Sequence, residues 1–220
     1  MNVIIDYDRV TGFPKLGWLA HYDIHKQIIK VLHGSSVECR DTWMVEGVWD
    51  GDFKSGEFHR SENFFGSGIR IDSGDVYFVA SSAMTDRLFL VEDPNVITVS
   101  NSLVLMLAYT GATLDPSHDY RHETMSILGG VSRYTRQFKV SHPKISEFLQ
   151  VFYENIVISD GLIRFETRTK RIKIDSFEEY YGMLHGCLSR IGKNYASTDR
   201  KMPMKAFSTI SSGYDSTAVT

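Results

Sequence analysis

The residues best suited to chemistry stand near the C-terminal end of the sequence, where Ser211, Ser212, Gly213, Tyr214, Asp215, Ser216 and Thr217 follow a short run that reads as a strand over 205–210. A strand that runs into small, hydroxyl-bearing residues and one glycine lets consecutive backbone N–H groups close on an anion. The helix that such a turn opens adds its positive end. The chemistry served is the holding of phosphate, and of pyrophosphate in particular. Ser and Asp also cap helices and Gly permits tight turns, so a capped turn without a ligand is the alternative reading of the same residues.

A turn of this kind needs a helix and a sheet behind it. Ser176 and Glu179 have the spacing of a capping box, and Phe177, Tyr181, Leu184, Leu188, Ile191 and Tyr195 recur every three or four residues, which predicts an amphipathic helix with one apolar stripe. That stripe requires a partner surface, part of which the strand over 206–210 would supply. Helix, strand and turn together read as the opening of an α/β domain.

The preceding residues read differently. A first strand is expected over 3–7 and a helix over 18–32, with Trp18, Leu19, Tyr22, Ile28, Ile29 and Leu32 on its buried side. The chain is extended over 43–53, after which Gly56, Gly66, Gly68 and Gly74 read as turns between short strands. Strands follow over 76–81, 87–91 and 96–100, then a helix over 103–109 capped by Asn101 or Ser102, apolar nearly all round and hence buried. A short helix is expected over 143–152. The pair Asp160-Gly161 between β-rich runs marks a hairpin, because both residues tolerate positive φ. A domain boundary is placed near Lys170.

Composition sets the class. The 220 residues are 42% hydrophobic, with a formal charge of −3, so no electrostatic argument favours nucleic acid or an anionic membrane as partner. The cluster Arg164, Arg168, Lys170, Arg171 and Lys173 reads as a solvated strand face. Cys39 and Cys187 lack metal-ligand spacing and fit free thiols, and neither a leader nor a membrane-spanning run is evident, so a cytoplasmic protein is expected.

The run from Ser211 to Ser216 resembles the PP-loop of ATP pyrophosphatases, S-G-G-x-D-S, with Ser212 in place of the first glycine. The resemblance implies that backbone groups of Ser212, Gly213, Tyr214, Asp215 and Ser216 hold the pyrophosphate of ATP, that the Ser211 and Ser216 hydroxyls donate to it, and that Asp215 positions Mg²⁺. No lysine-containing G-x-x-x-x-G-K-[ST] loop occurs. With roughly two hundred residues ahead of the loop, and with Val99-Ser100-Asn101-Ser102 followed by an apolar helix, the layout resembles the asparagine synthetases. Their adenylating domain follows an N-terminal-nucleophile (Ntn) glutaminase domain.

The resemblance implies an α+β chain: an Ntn-hydrolase-like layered sheet and helix domain over 1–170, then the truncated start of an α/β PP-loop domain over 171–220. It also implies a ligase that activates an unidentified carboxylate with ATP and Mg²⁺ and joins it to ammonia or an amine. The family's nucleophile is a cysteine at residue 2, and here residue 2 is Asn, whose carboxamide cannot attack. No glutaminase activity is expected, and no other catalytic residue is assigned. Because the sequence stops at Thr220, activity is expected only where a C-terminal synthetase half completes it; the alternatives are a non-catalytic remnant or scaffold, or one half of a split enzyme whose C-terminal half is a separate chain, and a homo-oligomer is the other partner considered.

Other constellations are weaker. His21 and His25, and His118 and His122, stand four apart, but without a nearby Cys or an H-E-x-x-H glutamate they read as ordinary histidines rather than zinc ligands. Cys39 reads as a buried thiol. Ser81, Ser82 and Asp86 lack the G-x-S-x-G turn of a hydrolase, and Gly66, Gly68 and Gly74 fail the dinucleotide-loop spacing.

Overall fold

The computed structural model describes residues 3–168, 173–202 and 204–205. The first strand, β1 (Ile4–Arg9), is followed by β2 (Trp18–Asp23) and β3 (Ile28–His33), which form a hairpin where the sequence suggested one helix. The apolar spacing there fits both periods, but burial has period two: Ala20 and Tyr22, then Ile29 and Val31, face the core while Lys30 faces out. Local chemistry closes the turn. Asp23 Oδ1 accepts from the Lys26 amide at 2.9 Å, Gln27 Nε2 donates to the Ile24 carbonyl at 2.7 Å, and Gln27 itself has φ 56°.

Next come β4 (Glu38–Cys39), β5 (Trp43–Trp49), β6 (Phe64–Asp72) and β7 (Asp75–Val79), then β8 (Leu88–Asp93) and β9 (Val96–Ser100). The turn reading holds at Gly56, which ends a 3-10 turn, and at Gly74, between β6 and β7. It fails at Gly66 and Gly68, which lie inside β6. Helix α1 (Leu103–Thr110) starts where Ser102 accepts from the Leu105 amide and stops at left-handed Gly111. It buries Leu105 and Met106, but Val104 and Tyr109 are exposed, so it is less buried than its composition suggested. After α2 (Arg121–Met125) and β10 (Gln137–Lys139), the segment read as a helix over 143–152 is instead the strand β11 (Glu147–Val151), paired with β8. Strands β12 (Asn155–Ser159) and β13 (Leu162–Glu166) form the expected Asp160-Gly161 hairpin, with φ of 50° and 78° at the turn. Helix α3 (Phe177–Tyr195) begins at the expected box: Ser176 Oγ accepts from the Glu179 amide at 3.1 Å, and Glu179 Oε2 accepts from the Asp175 amide at 2.9 Å.

The strands make two sheets, one of order β1-β3-β2-β9-β8-β11-β10 and one of order β13-β12-β7-β6-β5-β4. Among the described residues, only the β1–β3 pairing is parallel. The sheets share a core between them, to which the first gives Trp18, Val31 and Leu90 and the second Met44, Phe78 and Ile156. Both also bury their outer faces in part. Phe89 and Phe148 pack against Met106 of α1, while Trp43 and Trp49 pack against Phe53 and Phe58 of the 3-10 turns at Phe53–Ser55 and Phe58–Arg60. Alternation along β7 shows the division, since Val76 and Phe78 point between the sheets and Tyr77 and Val79 point outward. The protein is therefore a mixed α+β structure of two sheets and few helices. Among the described residues, no helix is long and apolar enough to cross a membrane.

Candidate functional site

The loop residues Ser211, Ser212, Gly213, Tyr214, Asp215 and Ser216 lie outside the described residues, as does Asn2. Of the chain approaching the loop, residues up to 202 and then 204–205 are described, and 200–202 are firmly held. Glu38 is 1% exposed, and its carboxylate accepts from the amides of Lys201 at 2.8 Å and Met202 at 3.2 Å. Arg200 donates to the Gly47 carbonyl at 3.0 Å and to the Asn194 carbonyl at 2.9 Å, with its guanidinium 4.1 Å from the centre of the Phe53 ring. The segment after α3 is thus tied to β4 and β5.

Beside that tie opens a cleft of about 940 Å³ whose wall includes Glu46, Ser67, Arg87, Asn101 and Met204. Glu46 and Ser67 are direct partners across β5 and β6, and Ser67 Oγ donates to Glu46 Oε1 at 2.6 Å. Trp18 Nε1 in turn donates to Ser67 Oγ at 2.8 Å, and Asn101 Nδ2 reaches the same Glu46 oxygen at 3.3 Å. Asn101 is itself fixed, since its Oδ1 accepts from the Trp18 amide at 2.9 Å and its Nδ2 donates to the Leu16 carbonyl at 2.9 Å. Burial pushes the Glu46 carboxyl up to about 7; the hydrogen bonds from Ser67 and Asn101 oppose this, and the charge of Asp86 adds to it.

This has a pH signature. A carboxyl whose pKa rises from 4.5 unfolded to about 7 folded keeps a proton in the native state that the unfolded chain has already released. Its contribution to stability therefore falls as pH rises from about 4.5 to about 7 and is flat above, at a cost of roughly 3 kcal/mol. Glu46→Gln should remove that slope. Urea unfolding at pH 5 and pH 8 is expected to show a smaller pH difference in the variant than in wild type; equal differences would refute the assignment.

The remaining sequence candidates are engaged structurally. Ser81 Oγ accepts from the Ala83 amide at 3.1 Å, and Ser82 Oγ accepts from the Phe64 amide at 3.0 Å while donating to the Glu62 carbonyl at 2.6 Å, so both hydroxyls brace β6 and no triad assembles. Cys39 Sγ lies 3.7 Å from His33 Nε2, but burial pushes its thiol up to about 11, which leaves it protonated and unreactive at neutral pH. His21 contacts Tyr109 at 2.9 Å and His25 contacts Asn95 at 2.7 Å, while His118 pairs with Glu123 and His122 with Thr135. Among the described residues, no group of three or more His, Cys, Asp or Glu is placed to hold a metal ion. Sequence reasoning missed Glu46, whose signal was a lone carboxylate inside the otherwise apolar run Trp43–Trp49.

One mixed and one antiparallel sheet face to face, with a buried carboxyl at the mouth of a cleft and a tied segment after α3 beside it, are what the geometry defines. No protein-family model matches the chain, and no curated protein matches it at a significant level.

Proposed function

We propose that this chain is the N-terminal portion of an asparagine-synthetase-like, ATP-dependent ligase that forms amide bonds, its first 170 residues being an Ntn-hydrolase-like domain without glutaminase activity. The observation that carries the reading is the order of parts. A layered two-sheet domain comes first, then the capped helix α3, then a segment held by Glu38 and Gly47, and six positions after Lys205 the residues Ser211, Ser212, Gly213, Tyr214, Asp215 and Ser216. Backbone groups of 212–216 and the hydroxyls of Ser211 and Ser216 would hold the pyrophosphate of ATP, with Mg²⁺ at Asp215. ATP is a substrate here and supplies the activating group for a carboxylate. The chain's own residues neutralise charge on the departing pyrophosphate. The nitrogen then comes from free ammonia or a substrate amine, because the Asn2 carboxamide cannot release it from glutamine. The free thiols Cys39 and Cys187 fit work in the cytosol.

Calorimetry with Mg·ATP tests the loop, and pyrophosphate release over a panel of carboxylates, with ammonia or amines, tests the reaction. Both are run on the chain alone and with a C-terminal synthetase half. Mg·ATP should bind wild type, and Asp215→Ala should weaken binding about tenfold or more. Unchanged binding in the variant, or none to wild type in either setting, rejects the ligase. Glutamine should yield no ammonia, and steady ammonia release would overturn the assignment of Asn2.

A further inference from the structure

We propose that a pocket on the outer face of the second sheet binds inorganic phosphate as its dihydrogen anion, the charge met by Arg168 and the O–H groups by His59 and Asn155. The pocket has a volume of about 450 Å³, and its wall includes His59, Arg60, Tyr77, Asn155, Glu166 and Arg168. Register brings these residues together. Asn155 pairs directly with Val79 on one side and with Glu166 on the other, so its side chain shares the outward face on which Val79 and Tyr77 stand. The 3-10 turn at Phe58–Arg60 covers that face, with the His59 ring 4.8 Å from the Tyr77 ring and the His59 carbonyl accepting from Asn155 Nδ2 at 2.8 Å. Arg168 closes the group by donating to the carbonyl of Ser61, two residues beyond His59, and to that of Ala80, next after Val79.

Unpaired polar atoms gather around this one pocket. His59, Asn155 and Arg168 are 4%, 2% and 8% exposed, yet His59 Nδ1, Asn155 Oδ1 and Arg168 Nε are each buried without a hydrogen-bond partner, which costs free energy until something pairs with them. None of the three side chains is free to turn. Asn155 is engaged through Nδ2, Arg168 through Nη1 and Nη2, and His59 through Nε2, which lies 3.3 Å from Asp72 Oδ2. A carboxylate only accepts, so the imidazole proton sits on Nε2 and leaves Nδ1 a bare acceptor; burial lowers the His59 pKa against the pull of Asp72 and keeps the ring neutral. One cationic donor and two acceptors are therefore unmatched. Charge agrees with this count, since Arg60 is paired with Asp72 at 2.6 Å and Glu166 with Arg164 at 3.0 Å, whereas Arg168 holds neutral carbonyls and no carboxylate among the described residues. Dihydrogenphosphate supplies one negative charge and two O–H donors. Sulfate has the same shape without a proton to give, and the burial of the three atoms calls for an enclosed ion rather than a larger ester.

Phosphate binding here does not depend on the ligase reading, which stands or falls on Mg·ATP and Asp215→Ala. Calorimetry on the 220-residue chain near neutral pH is run with sodium phosphate, sodium sulfate and methyl phosphate, and the imidazole nitrogen resonances of His59 are followed in the same titrations. Phosphate should bind about tenfold or more tightly than either analogue, because each analogue leaves a buried acceptor unpaired. It should also move the Nδ1 resonance of His59, which gains a donor. His59→Phe, which keeps a ring against Tyr77 but lacks Nδ1, should weaken phosphate about tenfold and bring it near sulfate. The ion series is measured on wild type, so it decides the question even where the variant folds poorly. No binding of phosphate, or sulfate or methyl phosphate binding as tightly, would overturn the proposal. Phosphate that binds while the His59 resonances stay unmoved lies elsewhere on the chain, the turn at 211–216 included, and overturns it equally.

Discussion

Gly66→Ala is expected to destabilise the protein by about 4 kcal/mol or more, lowering the melting temperature by at least about 10 °C or preventing recovery of folded protein. Gly66 and Gly47 face each other directly across β5 and β6, with φ of 130° and 148°. A Cβ on Gly66 would stand 1.9 Å from the Glu46 carbonyl oxygen and 2.6 Å from the Gly47 Cα, both rigid backbone atoms of the neighbouring strand. Neither rotamer change nor side-chain motion relieves such a contact. The added φ strain acts in the same direction. The glycine pair also sets the backbone on which Glu46 and Ser67 meet, so any folded fraction should lose the pH signature of Glu46 as well. Gly111→Ala is the control: its φ is 73°, but an added Cβ meets nothing within 4 Å, so only about 1 kcal/mol is expected. Circular dichroism melts of the two variants make the comparison. A Gly66→Ala protein that melts with the control would show that the strands can separate at this point without loss.

How far the sequence discloses this structure depends on whether a signal is local. The capping box of Ser176 and Glu179, the Ser102 cap and the Asp160-Gly161 turn each act within four residues, and each is found in place. Trp18 to Leu32 could not be settled that way. Its apolar residues satisfy helical spacing, and only pairing of β2 with β9 and of β3 with β1 selects the extended form. The same holds for β11, where Phe148 is buried beneath α1 only once β8 is beside it. The cleft is less legible still. Glu46, Ser67, Arg87 and Asn101 come from four separate stretches, and their meeting follows from sheet order, which no single stretch encodes. The phosphate-turn residues are the opposite case, plain in sequence while lying outside the described residues.

Arg168 shows what misreading a charge conceals, and its replacement is the second large effect expected. Within the basic cluster it read as one cation on a solvated strand face, yet it is only 8% exposed. Its guanidinium donates to the carbonyls of Ser61 at 3.0 Å, Ala80 at 2.6 Å and Tyr153 at 3.0 Å, and so joins the 3-10 turn region, the end of β7 and the approach to β12. Burial lowers its pKa to about 10, which still leaves it cationic at neutral pH. Arg168→Met keeps much of the volume but leaves three carbonyls without that donor, at about 1–3 kcal/mol for each that water cannot reach. A loss of about 4 kcal/mol follows, a large share of the roughly 5–15 kcal/mol that holds a typical domain together. Arg168→Lys should recover little, because one ammonium lacks the planar fork that spans three acceptors. Arg164→Met, on a side chain that is half exposed, should cost under about 1 kcal/mol. Urea denaturation of the three variants discriminates: a lysine variant as stable as wild type would mean that charge alone is required, and an Arg168→Met variant matching Arg164→Met would mean that the three carbonyls find other donors.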